Sequence, residues 1–269
     1  MRSRGEILVT WLIGAVLALA LIALYAPVAI VVLGAFFLDG QGNFDFALPT
    51  LGYFSSLAAN VQIMDSIWNT VIVGCGAVLS STVIALAVAL HVHAAPRRSN
   101  AVLQFLIFLP FLLPPLIVGL SLLIFFREVG FPTGLHAVII GHALFVLALV
   151  YRTILNRLTQ MGHSMIEASY DLGATPMQTF WRIIFPQVRG AVVIGAVLAF
   201  ALSFDETLIS LFLVGDQNTL PIKLWAMMRL GISPEVNAVA TIVLVISIAL
   251  VFYATRRMDI IDARSSPES

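Results

Sequence analysis

Long apolar runs, separated by short polar segments, set the layout of this chain. From Ile7 to Leu38 there is no Asp, Glu, Lys or Arg. Charge-free runs follow over Ser66–Leu90, Ser99–Phe126 and Val129–Tyr151. A fifth extends from Gly190 to Gly215, interrupted only by Asp205 and Glu206, and a sixth from Val236 to Thr255. A helix that crosses the hydrocarbon needs about 20 apolar residues. The pattern therefore predicts an all-α membrane protein, one domain over residues 1–269. Its six spans are placed near 8–37, 66–90, 100–126, 131–151, 191–214 and 236–255. The first run is too long for a signal peptide, whose apolar stretch is about 7–15 residues, so it reads as an uncleaved first helix.

Composition agrees: 60% of the 269 residues are hydrophobic and 10% charged, against roughly 25% charged in soluble domains. The bilayer is thus the solvent for most of the surface. Net charge is zero, but its distribution is not even. With the N-terminus inside, Arg2, Arg4, Arg97, Arg98, Arg152, Arg157, Arg182, Arg189, Arg256, Arg257 and Arg264 fall on the inner side. Only Arg127, Lys223 and Arg229 fall outside. That bias predicts a multi-pass protein of the bacterial inner membrane with both termini cytoplasmic.

The loops differ in kind. Residues 39–65 form an outer loop carrying Asp39, Asp45 and Asp65, and HVHAAPRRSN at 91–100 is a short basic inner one. The third span holds Pro110, Pro114 and Pro115. Proline breaks helices, so this span is expected to be kinked or broken, as a packing feature or as a lining of the pathway. The longest inner segment runs from about Arg152 to Gly190, with a loop placed near 160–187, and IEASYDLGATPMQTFWRIIFP at 166–186 reads as helix, turn, helix. Gly173 suits the left-handed position past a helix end. Thr175, Pro176 and Gln178 compose a capping box with proline at the first helical position. Pro186 is expected to end the second helix before the fifth span.

This elbow resembles the EAA loop of ABC importer permeases through Glu167, Ala168, Ser169, Gly173, Ile183, Phe185 and Pro186, with Ser169 replacing the second Ala and Phe185 replacing Leu. The resemblance implies a type I importer permease fold with a cytoplasmic coupling helix. Residues Glu167, Ala168, Ser169, Asp171, Gly173, Ala174, Thr175 and Pro186 would then seat it in an ATPase subunit; without that role, it is an ordinary amphipathic interfacial helix. Residues 203–247 resemble the second permease of spermidine/putrescine-type importers. Ser203 to Glu206, Thr219-Leu220-Pro221, Trp225 to Arg229, Ser233-Pro234-Glu235, Asn237 and Ala238 carry that likeness. That branch also contains importers of aminoethylphosphonate, opines and related amines. The implied partners are a second permease subunit, two ATPase subunits that bind ATP and Mg, an extracytoplasmic binding protein and membrane lipid. No nucleic acid is expected.

Asp205 and Glu206 are the chemistry-bearing pair. An acid within a span costs about 2.5–3.5 kcal/mol and faces the bundle interior or a water-filled cavity. Two readings stay open: a polar gate favourable for a cation, with Phe204 beside it, or an ion pair or cap at a break in the helix. Trp225 and Met228 lie in an outer segment, 215–237, that is a wall of the outer gate, a contact for the binding protein, or a simple interfacial anchor. His91, His93, His136, His142 and His163 lack metal-ligand spacing, and Cys75 is expected to be a small buried hydrophobe. The one lysine, Lys223, sits in LPIKLW. A phosphate-cradling GxxxxGK loop is therefore impossible, and ATP hydrolysis must belong to another polypeptide. The rival classes are an ion-coupled secondary transporter using the acidic pair as a proton relay, and an intramembrane enzyme, for which no catalytic constellation is present.

Overall fold

The computed structural model describes residues 4–39, 42–94, 100–162, 164–229 and 234–265. Arg2, Arg97, Arg98, His163 and Ser233, singled out above, lie outside them. The described chain is helical, with one isolated antiparallel bridge between Leu38 and Phe44. It forms two compact units, residues 1–61 with 224–248, and residues 62–223 with 249–269.

In the first unit, α1 (Arg4–Phe37) presents Trp11, Leu12, Leu19 and Leu24 outward and buries only its last turns. There Gly34 closes on the Asn237 side chain of α12 (Pro234–Ser265), so tightly that a Cβ would sit 2.7 Å from its Nδ2. Small residues permit such approach where lipid supplies no hydrophobic drive between helices. The loop after α1 folds back through Asp39, whose carboxylate accepts the Asn43 N–H at 2.8 Å. The short α2 (Gly52–Ala59) places Phe54 5.1 Å from Phe36.

The second unit holds most of the described helices. Its elements are α3 (Val61–Ala94), α4 (Ala101–Leu112), α5 (Pro115–Glu128), α6 (Leu135–Met161), the elbow helices α7 (Ser164–Asp171) and α8 (Pro176–Thr179), then α9 (Phe185–Asp205) and α10 (Leu208–Leu213). α11 (Leu220–Arg229) starts in this unit. Helix α6 is the hub: Val146, Val150, Tyr151, Ile154 and Leu158 are buried against Val188 and Ala199 of α9. Its N-terminal half packs Ala137 and Val138 with Ile209 and Leu213 of α10. Two glycines bring α10 in. A Cβ on Gly141 would lie 2.7 Å from Ile209 Cγ2, and one on Gly119 would lie 3.0 Å from Ile209 Cα. Gly141→Val is accordingly expected to overpack this contact by about 1–3 kcal/mol. A lowered melting temperature of the detergent-solubilised protein checks it, and a variant that melts like the parent contradicts it.

Among the described residues, four helical stretches are long and apolar enough to cross a membrane: Val9–Phe37, Val61–Ala94, Leu135–Met161 and Pro176–Asp205. A fifth arises if α4 and α5 count as one span. The apolar part of α12, Pro234–Ala249, is shorter. Several boundaries differ from expectation. Helix α3 starts at Val61, so Asp65 is helical rather than in a loop, and α6 runs on beyond residue 151 to Met161. The third run is broken, as its prolines lead one to expect: α4 and α5 are turned by 106° at Leu113 and Pro114, both extended. A residue before proline is pushed out of the helical region, and Pro115 then starts α5 at a position whose N–H needs no partner.

Pro186 does not break the chain, contrary to expectation. Helix continues from Pro176 to Asp205 through a π-helical turn, Phe180–Ile184, in which Phe185 N–H reaches the Phe180 carbonyl. The wider turn just upstream relieves the clash between the proline ring and the preceding turn. The fifth run instead breaks at Glu206, so the acidic pair sits at a helix end and not midway along a continuous span. Cys75 is exposed on α3 rather than buried, because it faces away from the packed side formed by Val73, Gly74 and Ala77.

Candidate functional site

Two places carry the residues singled out in the sequence. The first is the elbow. Helix α7 ends in Gly173 with φ +79°, whose N–H bonds to the Tyr170 carbonyl while Ala174 N–H reaches back to Ser169. That pair of bonds is a Schellman closure, which satisfies carbonyls left over at a helix end. The capping box forms as its residues require: Thr175 Oγ1 accepts from Gln178 N–H at 3.3 Å, and Gln178 Oε1 accepts from Thr175 N–H at 2.9 Å. Ser169, the departure from the second Ala, is buried. Its hydroxyl donates to the Ile166 carbonyl at 2.7 Å, so the Thr179 hydroxyl, 2.9 Å away, donates to it. The serine thus ties α7 to α8. Phe185, the other departure, packs 5.2 Å from Trp181.

Glu167, Ala168, Asp171, Gly173, Thr175 and Pro186 are exposed, and Ala174 is half-buried. The elbow therefore offers a polar rim. At its tip stands Leu172, 88% exposed, and Tyr170 and Trp181 are also largely open. Leu172 was not among the residues singled out. Its signal, an apolar residue isolated between Asp171 and a helix-ending glycine, is visible only once the turn is known.

The second place is the break between α9 and α10. Asp205 closes α9, Glu206 is extended with φ −75° and ψ 106°, and α10 starts at Leu208. A break leaves backbone N–H groups without carbonyls, at a cost of several kcal/mol each in hydrocarbon. Glu206 meets that need: its Oε1 accepts Leu208 N–H at 2.8 Å and Ile209 N–H at 3.1 Å. Its carboxylate thus caps the start of α10. Asp205, by contrast, is exposed on the other side of the break, and the Phe204 ring lies tilted with its centre 5.9 Å from that of Phe200. Across the break lies a buried histidine. His142 is 1% exposed, with Nδ1 2.8 Å from Ser203 Oγ and Nε2 2.8 Å from Ser210 Oγ. Its partners lie 61 and 68 residues away, beyond any spacing motif.

Trp225 and Met228 belong to the other unit and stay exposed, with the Arg229 guanidinium 4.2 Å from the Trp225 ring centre. That cation–π contact already covers one face of the indole. His136 pairs with the Pro132 carbonyl at 2.8 Å. Among the described residues no group of three His, Cys, Asp or Glu could hold a metal ion. A polar cleft of about 460 Å³ lies between the start of α3 and the segment after α10, lined by Gln62, Asp65, Asn69, Asp216 and Lys223 among others.

Comparison with known proteins gives this geometry its setting. Residues 81–266 match the family described as binding-protein-dependent transport system inner membrane component. PotC of Escherichia coli, a spermidine/putrescine transport system permease protein, is 30% identical over 229 residues, covering 85% of this chain and 86% of that protein. PotI of Escherichia coli, a putrescine transport system permease protein, is 31% identical over 236 residues, 85% of this chain and 84% of that one. In structure, the chain is similar to one in a bacterial ABC transporter that imports the acidic polysaccharide alginate. The TM-score is 0.72 at 17% identity, over 96% of this chain and 98% of the other. A chain of the MetNI methionine ABC transporter, in an inward-facing form, gives a TM-score of 0.61 at 20% identity over 72% and 94%. With more than half its length matched to the family and its helices folded as in these transporters, the chain belongs to the binding-protein-dependent transport system inner membrane components, as the permease subunit of an ATP-driven importer.

Proposed function

We propose that this permease forms half of the translocation pathway for a polyamine or a related small amine. The observation that carries the solute class is its likeness, over most of its length, to the PotC and PotI polyamine permeases. The Asp205 carboxylate, exposed beside the break, is the group suited to meet a cation on its way through. Glu206 holds the break in shape.

In this reading the chain crosses the membrane six times with both termini cytoplasmic. The broken pair α4 and α5 supplies the third span and α12 the sixth. A second permease completes the pathway, and an extracytoplasmic binding protein delivers the solute and sets most of its specificity. Two ATPase subunits bind ATP and Mg, and this chain itself performs no catalysis. The elbow, with Leu172 at its tip and Glu167 and Asp171 on its rim, seats in one ATPase. It is suited to that role because a doubly capped, serine-tied turn moves as a rigid body and passes on a rotation without deforming.

The test is ATP hydrolysis by the reconstituted complex with its binding protein. Putrescine, spermidine, aminoethylphosphonate, an opine and a neutral sugar are offered in turn. Stimulation several-fold above the basal rate by putrescine or spermidine alone is expected. Stimulation only by another solute overturns the polyamine assignment and leaves the importer, and uptake by this chain without any ATPase overturns the proposed mechanism.

A further inference from the structure

His142 has no place in the reading above, yet its ring touches both sides of the break. Ser203 lies in the last turn of α9 and Ser210 in the first turn of α10. Counting protons gives the contacts a direction. The Ser210 hydroxyl donates to the Glu206 carbonyl at 3.0 Å, so its oxygen accepts from the ring, and Nε2 carries the proton. In the neutral ring Nδ1 then accepts from the Ser203 hydroxyl. The chain of bonds runs from Ser203 through His142 and Ser210 to the backbone of Glu206, the residue whose side chain caps α10. Gly141, next to the histidine, lets α10 approach closely enough for this bridge to close. Ordinary packing needs no such group: Leu or Phe would fill the space without binding either serine.

We propose that His142 is a positioning residue of the translocation pathway. Its imidazole fixes the offset between α9 and α10 and so holds Asp205 where the cationic solute meets it. This rests on the assignment of Asp205 to the pathway. A fully satisfied buried polar bridge specifies one arrangement, whereas an apolar contact at the same place tolerates sliding.

The experiment uses the assembled importer with its binding protein and compares His142→Leu with His142→Gln. A glutamine amide offers a donor group, its NH2, and an acceptor, its carbonyl oxygen, as the neutral ring offers one of each; leucine offers neither. Putrescine uptake is expected to fall about tenfold in the leucine variant, with basal ATP hydrolysis retained, and to return close to the parent rate in the glutamine variant. In a Cys75→Ser background, spin labels on the exposed Leu202 and Leu211 report the offset directly. One narrow distance is expected for the parent and glutamine forms, and a broadened one for leucine. Unchanged uptake in the leucine variant, or a distance that stays narrow, overturns the proposal. If the leucine variant does not assemble, Ser203→Ala removes only the α9 tether and is read in the same two ways. The distance needs no solute, so a parent complex that imports no polyamine sinks the solute assignment while the label measurement still decides on His142.

Discussion

Gly173→Pro is expected to abolish solute uptake and to lower ATPase retention by this subunit at least about tenfold. The reason lies in the backbone. Gly173 sits at φ +79° and donates its N–H to Tyr170, whereas proline is held near φ −65° and has no N–H to give. Forcing a residue out of that region costs about 1–3 kcal/mol, and each 1.4 kcal/mol is about tenfold in a binding equilibrium. Once the closure opens, α7 and α8 lose their fixed angle, and Leu172 no longer projects from a rigid tip. A control separates conformation from bulk. Nothing lies within 4 Å of a Cβ placed on Gly173, so a side chain as such fits. Asparagine, which tolerates positive φ, should retain most of the activity. Co-purification of the ATPase together with uptake provides the measurement. Normal retention by the proline variant removes the elbow from the docking contact.

The contrast between elbow and break shows what a sequence can convey. Everything at the elbow is local: Thr175, Pro176 and Gln178 are neighbours, and their hydrogen bonds follow from their spacing alone. The apolar runs are legible as helices because hydrocarbon demands length and little else, yet among the described residues four stretches, or five with the α4–α5 pair, are long and apolar enough to cross, against the six spans expected. Boundaries were less legible. Pro186 reads as a stop, but a π turn just upstream carries the helix through it, an adjustment that leaves no mark in composition. Asp205 and Glu206 announce that something polar occurs in the fifth run. Which acid caps and which stays open depends on where the helix breaks, and residues far along the chain meet there: Ile209 packs closely on Gly119 and Gly141. His142 was least legible of all, since a lone histidine in an apolar helix says nothing of serines more than 60 residues away.

That division of labour between the acids leads to an asymmetric result. Asp205→Asn is expected to reduce uptake of a cationic solute about 5–30-fold, with assembly and basal ATP hydrolysis retained. The estimate follows from losing about 1–2 kcal/mol of attraction for a passing ammonium. Glu206→Gln should be far milder, because the amide oxygen can still accept the two N–H groups now taken by Oε1. Glu206→Ala removes the acceptor altogether. Losing a cap costs about 0.5–2 kcal/mol, more where hydrocarbon offers no water as a substitute, so this variant should lose thermal stability as well as transport. If both acids served as cation ligands, Asp205→Asn and Glu206→Gln would impair uptake equally, and Glu206→Ala would leave stability unchanged. If neither met the solute, the variant combining Asp205→Asn with Glu206→Gln would transport normally. Uptake of a polyamine, set beside melting temperature across the four variants, distinguishes a charge that meets the solute from a carboxylate that holds the helix open.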